Sequence, residues 1–337
     1  MRAGEAVKAL VYTKPSEMTY RDEPEPTLSP GEVLIRVDAV GICGSDMHAY
    51  HGRDPRRIPP LILGHELAGE ILAGPGAGRR VTVNPLITCG HCEFCAQGRN
   101  NLCSNRTMIG MTRAGAFAQY VTTAATSVID LPLGMAARAA ALTEPAATAL
   151  HALDGATRAL ARPLPECTVL VIGAGAIGLL ASLLLRSYGC RHIRLAETNP
   201  MRRVSAERAG GFTTHDPALA EGPAAGSIDL VIDAVGAATT RQSALTAVKP
   251  GGVVMHIGLA DGASEIDMRK LTLAEISLIG SYTYSTADLR AAATALHEGA
   301  FGDLAWVEER PLAEGPRAFR DLDQGRAAAA KIILRPQ

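Results

Sequence analysis

The chain has 337 residues, too many for one comfortable core and suited to two domains. Hydrophobic residues make up 47% and charged residues 20%, a balance that excludes a disordered chain. A formal net charge of -1 leaves no basic surplus for nucleic acid or an anionic membrane surface.

The opening Met1-Arg2-Ala3-Gly4-Glu5 leads to Lys8 and Lys14 with no apolar signal core between them, so the expected compartment is the cytoplasm. Ala6–Val11 is a short apolar run. Glu32–Cys43 alternates, with Val33, Ile35, Val37 and Ala39 on one face and Arg36 and Asp38 on the other. Gly and Pro then crowd residues 52–90, which reads as an irregular β domain with long loops. After about residue 145, strand and helix signals alternate. Strands are expected at Thr168–Ile172, His192–Ala196, Ile228–Ile232 and Val253–Ile257, the last fed by a turn at Lys249-Pro250-Gly251-Gly252. A helix follows Gly175 and stops near Gly189, and Asn199-Pro200 starts another. Repeated βα units imply a parallel, doubly wound sheet. Val169–Leu185 is apolar enough to resemble a short membrane span, but its three glycines favour a buried strand, a turn and a helix. Lys331–Leu334 reads as a final strand.

Four of the seven cysteines, Cys89, Cys92, Cys95 and Cys103, fall within fifteen residues. With no secretory signal, the cluster points to metal rather than to disulfides. Four thiolates on tight turns can close a tetrahedron around zinc and leave no open position, so this site is structural. Two further stretches stand out: Gly41-Ile42-Cys43-Gly44-Ser45-Asp46-Met47-His48 and Gly64-His65-Glu66. A catalytic zinc needs three protein ligands and an open position, which Cys43, His65 and a carboxylate would supply.

Val169–Ile172 leads into Gly173-Ala174-Gly175-Ala176-Ile177-Gly178, a dinucleotide fingerprint in its required setting between strand and helix. Gly173 permits the turn, Gly175 admits the pyrophosphate beside Ile177, and Gly178 packs the helix on the sheet. Glu197 ends the next strand, where an acid binds the ribose hydroxyls and repels a 2′-phosphate. This favours NAD, with NADP second because Arg202 and Arg203 stand close by.

At these motifs the chain resembles the zinc-containing medium-chain alcohol dehydrogenase family. Gly64-His65-Glu66-Leu67-Ala68-Gly69, the four cysteines and Phe117-Ala118-Gln119-Tyr120 carry the likeness, with Gln119 where the family has Glu. The resemblance implies a GroES-like catalytic domain at residues 1–146 and 285–337 and a Rossmann cofactor domain at 147–284. It implies two zincs per chain and a homodimer or homotetramer formed through the cofactor-domain sheet. Glu144 stands where ethanol-type members carry Cys, which resembles the sorbitol, glucose and threonine dehydrogenase branch. There the catalytic zinc sphere is Cys43, His65, Glu66 and water, with Glu144 either direct or through the water. Asp46 either orients His65 or shapes a turn. The implied proton relay runs from Ser45 through a cofactor ribose hydroxyl to His48; His51 has no matched role. Ile257, Gly258 and Tyr282 are implied near the nicotinamide, and Arg202 matches the arginine of NAD-using members.

The expected reaction is hydride transfer from a polyol or secondary alcohol to NAD, giving the ketone. Threonine, glucose and sugar-alcohol-phosphate oxidation are alternatives within the family, and a non-catalytic, zinc-stabilised NAD-binding protein is the alternative outside it. Two departures bear on this. The turn Gly74-Pro75-Gly76-Ala77-Gly78 is shorter than the family shows. Thr283 stands where sorbitol dehydrogenases carry Arg ahead of the residue matching Tyr284, so one sorbitol contact is missing. Arg53, Arg56 and Arg57 read as a solvated loop, with recognition of an anionic substrate as the second reading.

Overall fold

The computed structural model describes residues 6–219 and 222–337. Met1–Glu5, on which part of the leader expectation rests, lie outside the described residues. The alternation read in residues 32–43 becomes the strand Glu32–Gly41, with Val33, Ile35, Val37 and Ala39 fully buried and Arg36 and Asp38 half-buried. Leu34 and Val40 on the opposite face are buried as well, because this strand is central. It pairs antiparallel with Glu66–Ala73, with Tyr120–Ala124 and with Lys331–Arg335. Arg80–Val83, Val128–Asp130 and Val307–Pro311 complete a seven-stranded sheet.

Glu66–Ala73 is an eight-residue strand inside the stretch that reads as loop. The glycine-rich run at residues 74–78 is the exposed turn that joins it to Arg80–Val83. These pairings carry the chemistry. The register sets Gly41 opposite Glu66, and Lys331 enters the sheet on the other side of the central strand.

The second sheet has six parallel strands. Numbered in chain order they lie 3-2-1-4-5-6, the doubly wound order of dinucleotide-binding folds. Thr168–Ile172 and His192–Ala196 form as read, and Ile228 extends to Asp233. The fifth strand begins at Val248 and absorbs the expected turn at Lys249–Gly252; Gly251, at φ +72°, takes the bend. Val169–Leu185 resolves into the first strand, the glycine turn and the helix Ala176–Ser187. Among the described residues, no helix is long and apolar enough to cross a membrane.

The helix Thr143–Ala159 links the two sheets and packs on the helices Ala176–Ser187 and Thr286–His297. One hydrophobic cluster runs from Ala39 and Ala68 through Leu150 and Leu153 to Val169 and Leu230. The boundary at residues 146/147 therefore falls inside the first turn of a helix that both units share.

Candidate active site

Cys43 lies two residues past the end of the central strand and caps the short helix Gly44–Tyr50. Glu66 opens the neighbouring strand, and His65 immediately precedes it. This pairing brings one ligand atom each of Cys43, His65 and Glu66 within 4.8 Å of one another. His65 and Glu66 are buried and Cys43 is half-buried, so the cluster faces a cleft from one side.

The supports are specific. Asp46 Oδ2 accepts the Cys43 backbone N–H (3.0 Å), and its Oδ1 lies 3.5 Å from His65 Nδ1. Turning Nδ1 toward the carboxylate leaves Nε2 as the nitrogen for a metal. Burial would raise the Asp46 pKa, but His65 and Arg57 hold it below its ordinary value. Burial likewise opposes a charged His65, yet Asp46 and Cys43 hold its pKa well above the usual range. The carboxylate and the thiol beside the imidazole thus favour positive charge at this spot.

Arg57 corrects the solvated-loop reading. Its guanidinium is fully buried, donating to Gly110 O (3.0 Å), Ser45 O (3.1 Å) and Asp54 Oδ2 (2.7 Å). It also donates to Ser45 Oγ (3.1 Å), which leaves the Ser45 hydroxyl proton free to point elsewhere. His48 stands one turn beyond Ser45 on the same helix face. Burial and the Arg53 charge lower its pKa, so it is neutral and able to accept a proton at pH 7. His51 bonds Asp323 (2.6 Å), which accounts for it without a chemical role. Arg56 pairs with Asp54 at the surface, and Arg53 is exposed.

Sequence reasoning missed Lys331, which appeared there only as the start of a strand. Its ammonium is buried and donates to both carboxylate oxygens of Glu66 (2.7 and 2.6 Å) and to Ile42 O (2.8 Å). Burial opposes its charge, but Glu66 and Cys43 raise its pKa. A Cβ on Gly41 would stand 2.1 Å from Glu66 Oε2, so the carboxylate occupies the space a side chain would need. A lysine opening an otherwise apolar strand was the available signal.

Glu144 lies beside this cluster rather than in it. Its Oε1 accepts the Tyr284 hydroxyl (2.7 Å), and Tyr284 is completely buried. Burial pushes the Glu144 pKa up to about 7, reinforced by Glu66 and opposed by His65, Tyr284 and Lys331.

In the cysteine lobe, one sulfur each of Cys89, Cys92, Cys95 and Cys103 comes within 4.8 Å of the others. The backbone N–H groups of His91 and Cys92 lower the Cys89 pKa to about 6. Cys92 moves the other way. The backbone of Cys95 works to lower it, but burial and the neighbouring thiols push it up to about 11. Four thiolates cannot coexist there without a cation, and a divalent ion suits the donor set.

A cleft of 340 Å³ joins the metal cluster to the dinucleotide fingerprint. Cys43, Met47, Glu66 and Lys331 line one end, and Gly173, Gly175, Ile177, Gly178, Glu197 and Arg202 line the other. The three glycines differ. Gly173 sits at φ +95°. A Cβ on Gly178 would meet Gly173 O at 1.8 Å, whereas one on Gly175 would enter open space. That opening, at the N-terminus of Ala176–Ser187, is where a pyrophosphate fits. Glu197 accepts the backbone N–H groups of Ala174 (2.9 Å) and Asn199 (2.8 Å), and so braces the glycine turn. Asn199 caps the next helix by accepting from Met201 and Arg202.

Ile257, Gly258 and Tyr282 do not line this cleft. Gly258 packs backbone to backbone against Val235 and Gly236, and Val235 does line it. Tyr282 lies under the Arg106 guanidinium (5.1 Å), beside the cysteine lobe.

The model of the alcohol dehydrogenase GroES-like domain matches residues 29–133, and that of the zinc-binding dehydrogenase matches residues 176–298. A sorbitol dehydrogenase of Halalkalibacterium halodurans is 32% identical, covering 98% of this chain and 99% of that protein. The chain belongs to the zinc-binding alcohol dehydrogenase family. An L-galactonate-5-dehydrogenase of Escherichia coli is similar to this dehydrogenase at 30% identity, over 97% and 98% of the two chains. Among solved structures, the acetophenone reductase of Geotrichum candidum in complex with NAD aligns with a TM-score of 0.87 at 28% identity, covering 99% of this chain and 98% of that one. A zinc-binding dehydrogenase of Sinorhizobium meliloti bound to NADP aligns at 0.86 and 30% identity, over 98% and 100%.

Proposed function

We propose that this dehydrogenase oxidises a polyol or other secondary alcohol to the ketone, using one catalytic zinc and NAD, with a second zinc in the cysteine lobe. The observation that carries this reading is the single cleft that has Cys43 and Glu66 at one end and the open turn at Gly175 at the other. Substrate and nicotinamide can meet there.

Zinc, when bound, supplies a Lewis acid that makes an alcohol hydroxyl acidic. Cys43 and His65 hold it, with Asp46 fixing the ring of His65. Lys331 draws Glu66 toward itself, so Glu66 is a ligand in reserve, and Glu144 faces the same centre from the Tyr284 side. Ser45, oriented by Arg57, takes the departing proton. His48, held neutral, would be the final acceptor, and a bound cofactor would supply the hydroxyl between the two.

NAD is favoured over NADP. Glu197 places a carboxylate at the adenosine end of the cleft, and Arg203 is committed to the Glu197 and Thr198 carbonyls and to Asp216. Arg202 alone remains to meet a 2′-phosphate. Residues 1–146 and 285–337 form the catalytic unit and residues 147–284 the cofactor unit, in keeping with the sheet each strand joins.

The chain forms a homo-oligomer through the edge strand Ser277–Gly280. Leu278 on that strand is exposed, as are Met268 and Leu273 on the helix that precedes it in the chain.

The test is NADH formation across a panel of polyols, secondary alcohols and threonine, each with NAD and with NADP. Turnover of a polyol or secondary alcohol with NAD is expected. NAD binding without turnover of any member would overturn the reading in favour of a non-catalytic protein.

A further inference from the structure

The segment Tyr282–Thr286 crosses from the cofactor sheet to the helix Thr286–His297, and both of its ends are fastened to the cysteine lobe. Asn100 and Asn101 lie between Cys95 and Cys103. Asn101 Nδ2, buried, donates to Tyr282 O (2.8 Å). Asn100 holds Thr286 twice: Nδ2 donates to Thr286 Oγ1 (2.9 Å), and Oδ1 accepts the Thr286 backbone N–H (3.2 Å). Arg106, just past the lobe, covers the Tyr282 ring. Between these anchors Thr283 is held at φ +48°, a conformation that a β-branched residue keeps only when its surroundings impose it. The next residue is Tyr284, whose hydroxyl is the hydrogen-bond donor to Glu144 Oε1 (2.7 Å).

We propose that the cysteine lobe positions Glu144: it pins Tyr282 and Thr286, and Tyr284 between them holds the carboxylate against the Cys43–His65–Glu66 centre. Tyr284 and Asn101 are positioning residues, and the lobe serves the active centre as well as the fold. This rests on the reading of that centre as a metal site. Every link is a packed or hydrogen-bonded contact, so a change in the lobe reaches Glu144 without an intervening gap. Outer partners of ligating carboxylates commonly contribute about 10–100-fold to metal affinity. Coupling between two binding sites is also reciprocal, so a cation in the lobe and one at the centre strengthen each other.

The experiment uses the full chain with zinc in the lobe and Co2+ at the Cys43 centre. Two signals are followed: the visible spectrum of the cobalt, and the rate at which a chelator removes it. Tyr284→Phe is expected to perturb the spectrum and to speed removal by about 10–100-fold. Asn101→Leu, remote from the centre, is expected to shift both signals in the same direction. The double variant is expected to lose cobalt no faster than Tyr284→Phe, because the two changes interrupt one path. If Asn101→Leu does not fold, Asn100→Leu removes both hydrogen bonds of the other anchor, with the same expectations. A folded lobe variant with retained lobe zinc, an unchanged spectrum and an unchanged removal rate would overturn the inference. Independent, multiplying effects in the double variant would also overturn it. Failure of the unaltered protein to bind any metal at Cys43 would remove the functional reading itself, a result distinguishable from both.

Discussion

Glu66 and Lys331 lie 265 residues apart and form a buried ion pair at the edge of the metal cluster. Removing one partner of such a pair leaves the other charge uncompensated. Lys331→Met should therefore cost about 3–5 kcal/mol of stability by denaturant titration. It should also free Glu66 to bind metal more firmly, slowing chelator-driven loss. A variant as stable as the parent would contradict the burial argument. Arg57 teaches a similar lesson. In the sequence it is one of three arginines in a polar loop, and nothing local separates it from Arg53 and Arg56. Only the return of Gly110 and Ser45 to the same spot reveals it as a brace. Cys43, His65 and Glu144 were legible because their chemistry is unusual in short, recognisable settings. Lys331 and Tyr284 were not, because their partners are distant in sequence.

Among the elements, the turn Gly173–Gly178 shows how one motif divides its labour. A methyl at Gly175 enters the open cleft, while a methyl at Gly178 collides with Gly173 O. Gly175→Ala should keep the melting temperature near that of the parent and weaken NAD binding at least tenfold by calorimetry. Gly178→Ala should destabilise the fold by about 1–3 kcal/mol, as overpacking does. The reverse pattern would contradict the assignment of the cleft. Four of the six strands of the cofactor sheet were readable because each is a short run rich in apolar residues; Thr213–His215 and Ser277–Gly280, three and four residues long, carry too little pattern to be seen. Glu66–Ala73 was hidden by the glycines and prolines around it. The helix Thr143–Ala159 was hidden for another reason: its first eight residues are all buried, so no polar face marks a helical period.

For the whole molecule, two sheets share one continuous core, and the active cleft opens along their junction. The exposed edge Ser277–Gly280 lies on the cofactor sheet, at the end of the strand order away from His192–Ala196. Leu273 is 72% exposed and Met268 60% exposed on the helix that precedes it in the chain, and a second copy bound at this edge would cover them. Leu278→Arg should shift the sedimentation of the protein to that of a monomer while cofactor binding persists. An unchanged assembly would place the interface elsewhere. If one metal is catalytic and the other is not, zinc content measured together with turnover in the parent and in Cys43→Ala separates their roles most directly. About two zincs per chain are expected in the parent. The variant should fold, hold about one zinc and show no turnover. One zinc in an intact, active parent, or retained turnover in Cys43→Ala, would contradict a catalytic metal at Cys43.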